Sequence, residues 1–421
     1  MSQADWDRLK YYSRRVKSFR FYDPVNPQVH PSIYRQIAEL PSSALFPSLR
    51  HLRYDLGNTR NSRIFLSSFI SPLLDSLELV NFGGFEDGIV ATFLATLTSQ
   101  MISRIILHNG QMSVDIFKES IVHFKHLRSL ELSDAVFMSD FVLWEVLGTL
   151  PSLANFTLKA FDPASHPAHA PESSNSQSGG PKYFEALECL FVKGSFTLIL
   201  HLLGFIDSPY LKSIEVYPVI TRVLNDRQRG SEDLLTPSMT IVASKWSQSL
   251  KNLIIGSSAR APRNTISNCL MLLTDLHEMQ SFQLHRWKME NMDDDVRRLV
   301  MSWRKLRTLA VLPSDNSFIS LYTLRIIAES CPELRHLSIH LNIYSLPPFD
   351  ISNKSLAHNM EVLTLGKVHS NAPSLGDQIR MARHLDSMFP YLKSIELQNN
   401  NPTLSGVREL VKLCQDFRQG R

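Results

Sequence analysis

The chain has 421 residues, of which 43% are apolar and 20% charged. That is enough for a continuous core, with a charge content ordinary for a globular chain. The net charge of +4 is too weak to point to nucleic acid, whose binders concentrate a strong basic excess on one face. Four widely spaced cysteines, Cys189, Cys269, Cys331 and Cys414, form no C-x-x-C pair, which excludes a disulfide framework and a clustered zinc site and favours a reducing compartment.

The opening twenty residues, MSQADWDRLKYYSRRVKSFR, are charged and contain no apolar h-region, so no secretory signal is read there. An intracellular chain, cytoplasmic or nuclear, is expected. In residues 1–15, Trp6, Leu9 and Tyr12 share a helical stripe, which predicts an N-terminal capping helix facing the first repeat. The basic residues Arg8, Lys10, Arg14, Arg15, Lys17 and Arg20, interleaved with aromatics, would also suit a nucleic acid. Solvated charges on a cap account for them more simply, so no nucleic-acid partner is expected.

From Val16 to the C-terminus the pattern apolar-x-x-apolar-x-apolar recurs. It starts at Val16, Leu49, Leu74, Ile102, Leu127, Leu153, Leu187, Leu211, Leu250, Met279, Leu306, Leu334, Met360 and Leu392. At this apolar content about one window in twelve matches by chance, so the pattern alone proves little. Spacing and companions supply the specificity. Most starts lie 24 to 29 residues apart, the leucine-rich-repeat period. Proline stands two places before the first apolar residue at Pro47, Pro72, Pro151, Pro209, Pro332 and Pro390, where it forces the chain out of a helix. One place earlier, Phe46, Phe124, Leu150, Phe184, Trp303 and Phe389 can close the corner over a core.

Between these motifs, helical spacing is read over Glu86–Gln100, Ser113–Phe124, Ser139–Leu150, Asn264–His277, Asp293–Trp303, Ser317–Ser330 and Thr403–Phe417. Ser113, Ser139, Ser195, Asp293 and Ser317 are the expected caps. Phe196 to Ile206 is the most apolar run, but at half the length of a membrane span it predicts no membrane contact. Two gaps are too long for a plain repeat. Residues 160–182 are rich in Pro, Ser, His and Gly, and residues 218–235 are polar and charged, with a helix resuming near Pro237. Both read as loop insertions. The fold class predicted is α/β, a right-handed leucine-rich-repeat solenoid of about fourteen repeats over residues 16–421, with a parallel concave sheet and convex helices.

The opening DWDRLKYYSRRVKSFRF, followed by repeats of the P-x-L-x-S-L-x-L sort, resembles the fungal F-box and leucine-rich-repeat proteins of mushroom-forming species. That resemblance spans essentially the whole chain. It implies the substrate-receptor part of a cullin-type ubiquitin ligase, docked through a Skp adaptor. The helical F-box of that family has no counterpart here, so only the substrate-binding half carries over. Skp binding is expected only with an F-box upstream. A second departure is that asparagine, three places after the last apolar residue of the motif, occurs only at Asn342 and Asn400.

Candidates for chemistry give way to simpler readings. Gly83-Gly84 and Gly179-Gly180 lack a following Lys-Ser/Thr, and neither G-x-S-x-G nor H-E-x-x-H occurs. His166 and His169 have no Cys or carboxylate companions, and His336 and His340 stand about 13 Å apart along one strand. Asp293-Asp294-Asp295 suits the start of a helix. Lysine or arginine fills the second motif position at Lys17, Arg50, Arg128, Lys212, Lys251, Arg307, Arg335 and Lys393, a solvated edge or a basic rail for an acidic partner. No catalytic, cofactor-binding or metal residues are assigned, and no cofactor is expected. The expected function is a non-catalytic module that recognises a protein on its concave face and rim through Phe191, Lys193, Tyr217, Ile254 and His285, with Trp287 close by. Its alternative is a small-molecule sensor with a pocket under the insertions.

Overall fold

In a computed structural model the described residues are 3–22, 45–56, 66–82, 87–97, 101–110, 112, 114–134, 141–160, 183–219, 235–257, 266–342, 356, 358–369, 374–397, 402–418 and 420. They fall into two compact units, the first Met1–Gly194 with Phe205–Tyr210, the second Ser195–Gly204 with Leu211–Arg421. The first carries β1 (Ser18–Phe21), β2 (His51–Asp55), β3 (Ser76–Val80), β4 (Arg104–His108), β5 (Ser129–Ser133), β6 (Asn155–Lys159) and β7 (Cys189–Gly194). The second carries β8 (Ser213–Pro218), β9 (Asn252–Gly256), β10 (Ser281–His285), β11 (Thr308–Leu312), β12 (His336–Asn342), β13 (Val362–His369) and β14 (Ser394–Leu397). Within each unit neighbours in sequence pair as neighbours in the sheet, always in parallel. This is the α/β leucine-rich-repeat solenoid that the repeat predicts.

Every strand begins two residues after the first apolar residue of its motif. The reason lies in the hydrogen bonding of the corner. The N–H of that apolar residue donates three residues back, as Leu49 does to Phe46, Leu127 to Phe124, Leu306 to Trp303 and Leu392 to Phe389. The next two N–H groups both reach one carbonyl of the preceding repeat: Arg50 and His51 to Lys17, Gln280 and Ser281 to Lys251, Arg335 and His336 to Arg307. Parallel pairing therefore starts one step after the turn, which forms with proline at Pro47 and Pro390 and equally with Lys125 and Arg304 in that place. The corner residues Phe46, Phe124, Leu150, Phe184, Trp303 and Phe389 are all buried. Where serine takes that place, Ser71 Oγ donates to the Pro47 carbonyl and Ser208 Oγ to the Leu187 carbonyl, so a small polar group still closes the corner.

The first, fourth and sixth motif positions point into the core, as Leu306, Leu309 and Val311 do on β11. Helices cover that side: α1 (Gln3–Ser13), α2 (Asp87–Leu97), α3 (Val114–Ile121), α4 (Phe141–Gly148), α5 (Phe196–Phe205), α6 (Leu235–Trp246), α7 (Ser267–Leu272), α8 (Met292–Ser302), α9 (Leu321–Ser330), α10 (Leu375–Met388) and α11 (Pro402–Arg418). The helix expected over Asn264–His277 is shorter, ending in a 3-10 turn at Leu273–Asp275, and α10 had no counterpart in the sequence reading. Of the cap candidates, Ser195 Oγ accepts from the Leu198 N–H at 3.2 Å. α8 instead has Asn291 in the cap position, and α9 is capped by Ser320, not Ser317, whose hydroxyl donates to the Met289 carbonyl. Ser113 and Ser139 lie outside the described residues.

The N-terminal end is closed by rings rather than by α1 alone. Phe19 stacks on Phe46 and Phe69 at 4.9 Å, and Phe21 on Tyr54 at 4.6 Å. On α1, Trp6 and Leu9 are half-buried, but Tyr12, expected to face the first repeat, is 58% exposed. It meets Tyr11 edge-on, and Tyr11 in turn is covered by Arg15.

Candidate interaction face

The third, fifth and seventh motif positions point away from the core, because strand side chains alternate. This open face differs between the units. In the first it is charged and internally paired. Arg53 Nη1 lies 3.0 Å from Glu78 Oε1, with His108 Nε2 at 3.8 Å from the same oxygen. Lys159 Nζ donates to Glu131 Oε1 at 2.6 Å and lies 5.6 Å from the centre of the Phe191 ring. Lys193 stands on the same strand as Phe191, close enough to stabilise the Asp134 carboxylate, whose pKa is nonetheless raised by burial.

In the second unit the face is nearly free of charge. Along β9 to β13 its positions hold Asn252, Ile254 and Gly256; Ser281, Gln283 and His285; Thr308, Ala310 and Leu312; His336, Ser338 and His340; and Val362, Thr364 and Gly366, of which Gly256, Ala310, His340 and Gly366 are buried. Acidic groups bracket this stretch, Glu215 on β8 and Glu396 on β14, which accepts from Thr364 Oγ1 at 3.3 Å. The predicted residues Tyr217, Ile254 and His285 are thus brought together on adjacent strands, all half-buried. Phe191 and Lys193 belong to β7 of the first unit. Trp287 is no contact anchor, being only 3% exposed in a T-shaped contact with Phe196.

Electrostatics follow from burial. It raises the pKa of Glu215, and it raises that of Tyr217 with help from the Glu215 charge. Burial, then Arg286, lowers that of His285, whose Nε2 lies 3.1 Å from Gln283 Oε1. His340 is buried beside Phe318 and pushed down to about 4, mainly by burial and then by Lys367. His336, on the same strand, is exposed, so the two histidines do not converge. Asp293, Asp294 and Asp295 fill the first turn of α8, where Asp293 Oδ1 accepts from the Ser320 N–H. The basic edge is met by acids in the second unit: Arg307 pairs with Glu333 at 3.1 Å, and Lys393 with Glu361 at 2.9 Å.

Two features escaped the sequence reading. Asn81, Asn109 and Asp134 stand at the eighth motif position with positive φ of 53°, 50° and 54°, a conformation Asn and Asp tolerate. Asn109 Nδ2 donates to Asn81 Oδ1 and Asn81 Nδ2 to Asp55 Oδ1, so a short side-chain ladder runs one place before the position where asparagine was expected. The second is rings resting on glycines of the next repeat. A Cβ on Gly110 would lie 2.0 Å from Phe82, on Gly256 2.4 Å from Tyr217, and on Gly366 2.6 Å from His340. Residues 161–182 and 220–234, with His166, His169 and any pocket beneath the insertions, lie outside the described residues.

Comparison with protein-family models finds no match, and comparison with curated proteins finds none either. Among solved structures, the Rad7 and Elc1 complex of yeast is similar over 94% of this chain and 83% of that one, at 11% identity and a TM-score of 0.38. A leucine-rich-repeat protein of Leptospira interrogans is similar over 90% of this chain and 100% of that one, at 11% identity and a TM-score of 0.30. A protein of Bacteroides fragilis is similar over 63% of this chain, at 15% identity and a TM-score of 0.35; the chain spans 66% of its length. None of these comparisons shows the fungal F-box family. Among the described residues no helix is long and apolar enough to cross a membrane.

Proposed function

We propose that this chain is a non-catalytic protein-interaction module that binds a protein partner on the open face of its sheet and the adjoining rim. The observation that supports it is the surface of the second unit, where half-buried Ile254, Tyr217 and Leu312 lie among uncharged polar groups. Charge depletion with apolar and aromatic anchors is the composition of the centre of a protein–protein interface. The test is affinity purification from the source cells with the wild-type chain and with Ile254→Arg and Tyr217→Ala, each first shown to melt as the wild type does. A partner recovered by the wild type and lost by both variants supports the reading. Equal recovery by all three puts the site elsewhere, Phe191 and Lys193 on β7 being next in line.

The finer reading is that the module is the substrate-receptor part of a cullin-type ubiquitin ligase, supported by the family resemblance of residues 5–21. Co-purification of a Skp adaptor with the full product of the gene, together with partner ubiquitination that Ile254→Arg abolishes, would establish it. Partner binding without either would leave a module of another pathway.

A further inference from the structure

The sign of the charge on the open face of the second unit says what its partner must bring. From β8 to β14 the only Lys, Arg, Asp or Glu side chains at the face-pointing positions are Glu215 and Glu396, both acidic. Arg286 stands one position beyond, just past the end of β10, and Lys367 one position beyond within β13. Among the described residues no cation pairs with Glu215, although it is half-buried. Two places along the same strand, Tyr217 rests its ring edge on Gly256, where a Cβ would lie 2.4 Å away. That contact holds an aromatic ring beside the carboxylate. A carboxylate next to an aromatic ring is suited to a Lys or Arg side chain, through a charge-assisted hydrogen bond and a cation–π contact. Across β9 to β13 a second charge would lose water and find no counter-charge, so that surface favours uncharged side chains.

We infer that this face accepts a partner segment that sets one lysine or arginine against Glu215 and Tyr217 and lays uncharged side chains across β9 to β13. The inference rests on the proposed interaction face and adds the chemistry of its partner. Crossing from β8 to β13 covers roughly 24 Å at the inter-strand spacing, about seven extended residues. Burial raises the Glu215 pKa in the unbound chain, and a bound cation would lower it again.

The test uses a phage library of random peptides of about 12 residues, selected on the intact immobilised chain, with affinities then measured on free peptides. Enriched peptides should carry one Lys or Arg beside an uncharged stretch. Glu215→Gln, which keeps the side-chain shape, should weaken them about tenfold or more. Replacing the peptide cation by Gln should cost as much, and combining the two changes should cost little more. Binders that are lost with Ile254→Arg or Ser338→Arg but unaffected by Glu215→Gln would overturn the cation assignment and leave the face intact. Failure to enrich any peptide, or binders indifferent to all three variants, would overturn the face itself.

Discussion

The tip of the Phe82 ring lies where a side chain at Gly110 would have to be, and ring atoms of Tyr217 at Gly256 and of His340 at Gly366 fill the same place. These glycines are needed for space rather than for an unusual backbone. Phe82 is only 1% exposed, so its ring cannot swing into solvent without emptying core. Gly110→Ala should therefore lower stability by about 1–3 kcal/mol, read from urea unfolding. A neutral result would mean that the Phe82 ring has room to slide. His340 makes a different prediction. Its neutral form is favoured in the fold, with the pKa pushed down to about 4, whereas in the unfolded chain it titrates near 6.5. The unfolded state takes up the proton first, so stability falls as pH drops from about 6.5 to about 4, by up to about 3 kcal/mol. Denaturation at roughly pH 7 and pH 4.5 should show a smaller pH effect in His340→Gln than in the wild type. Comparing the two removes the opposite contributions of Asp134 and Glu215, whose pKa values are raised. The sequence displayed neither the glycine contacts nor this burial. Each depends on a neighbour one repeat away, some 25 to 40 positions along the chain, with no local pattern to mark it.

At the scale of elements, strands were legible and helix ends were not. A strand here is defined by a short rigid motif, and its start follows from one turn and two hydrogen bonds, as at Leu49 to His51. Helix ends depend on which of several nearby polar residues caps them, and sequence offers more than one. Ser317 and Ser320 both precede α9, but only Ser320 accepts from the Thr323 N–H, while Asp293 takes the Ser320 N–H. α10 went unread because Asp377, Arg380, Arg383 and Asp386 break up the apolar spacing of LGDQIRMARHLDSM, leaving a narrow buried stripe of Met381, Ala382, Leu385 and Met388. Its start is nonetheless well fixed. Ser374 Oγ accepts from the Asp377 N–H, and the Asp377 carboxylate accepts from the Ser374 N–H. Ser374→Ala should lower stability by about 0.5–2 kcal/mol, and Ser374→Asp should restore most of it. If both variants unfold with the wild type, α10 is held by packing alone.

Over the whole molecule the two units present faces of opposite character, and this bears on how any partner responds to salt. The open face of the first unit mixes Arg20, Arg53, Arg104, Lys159 and Lys193 with Asp55, Glu78 and Glu131. The second offers only Glu215 and Glu396 among the same positions. The candidate site was legible only in part for the same reason. Aromatic and aliphatic residues at face positions, such as Tyr217 and Ile254, can be found from the repeat register. Burial cannot, so Trp287 reads as exposed in sequence and is covered by the fold. A partner that docks on the second unit gains from apolar burial and one partly buried ion pair, neither of which salt screens strongly. Its Kd should change by less than about threefold between ~0.05 and ~0.5 M salt, measured by calorimetry. A partner on the first unit would meet many exposed charges, and its association rate should fall steeply over the same range. Steep loss of affinity with salt would therefore place the partner on β1 to β7, and salt-independent binding abolished by Ile254→Arg would place it on β8 to β14.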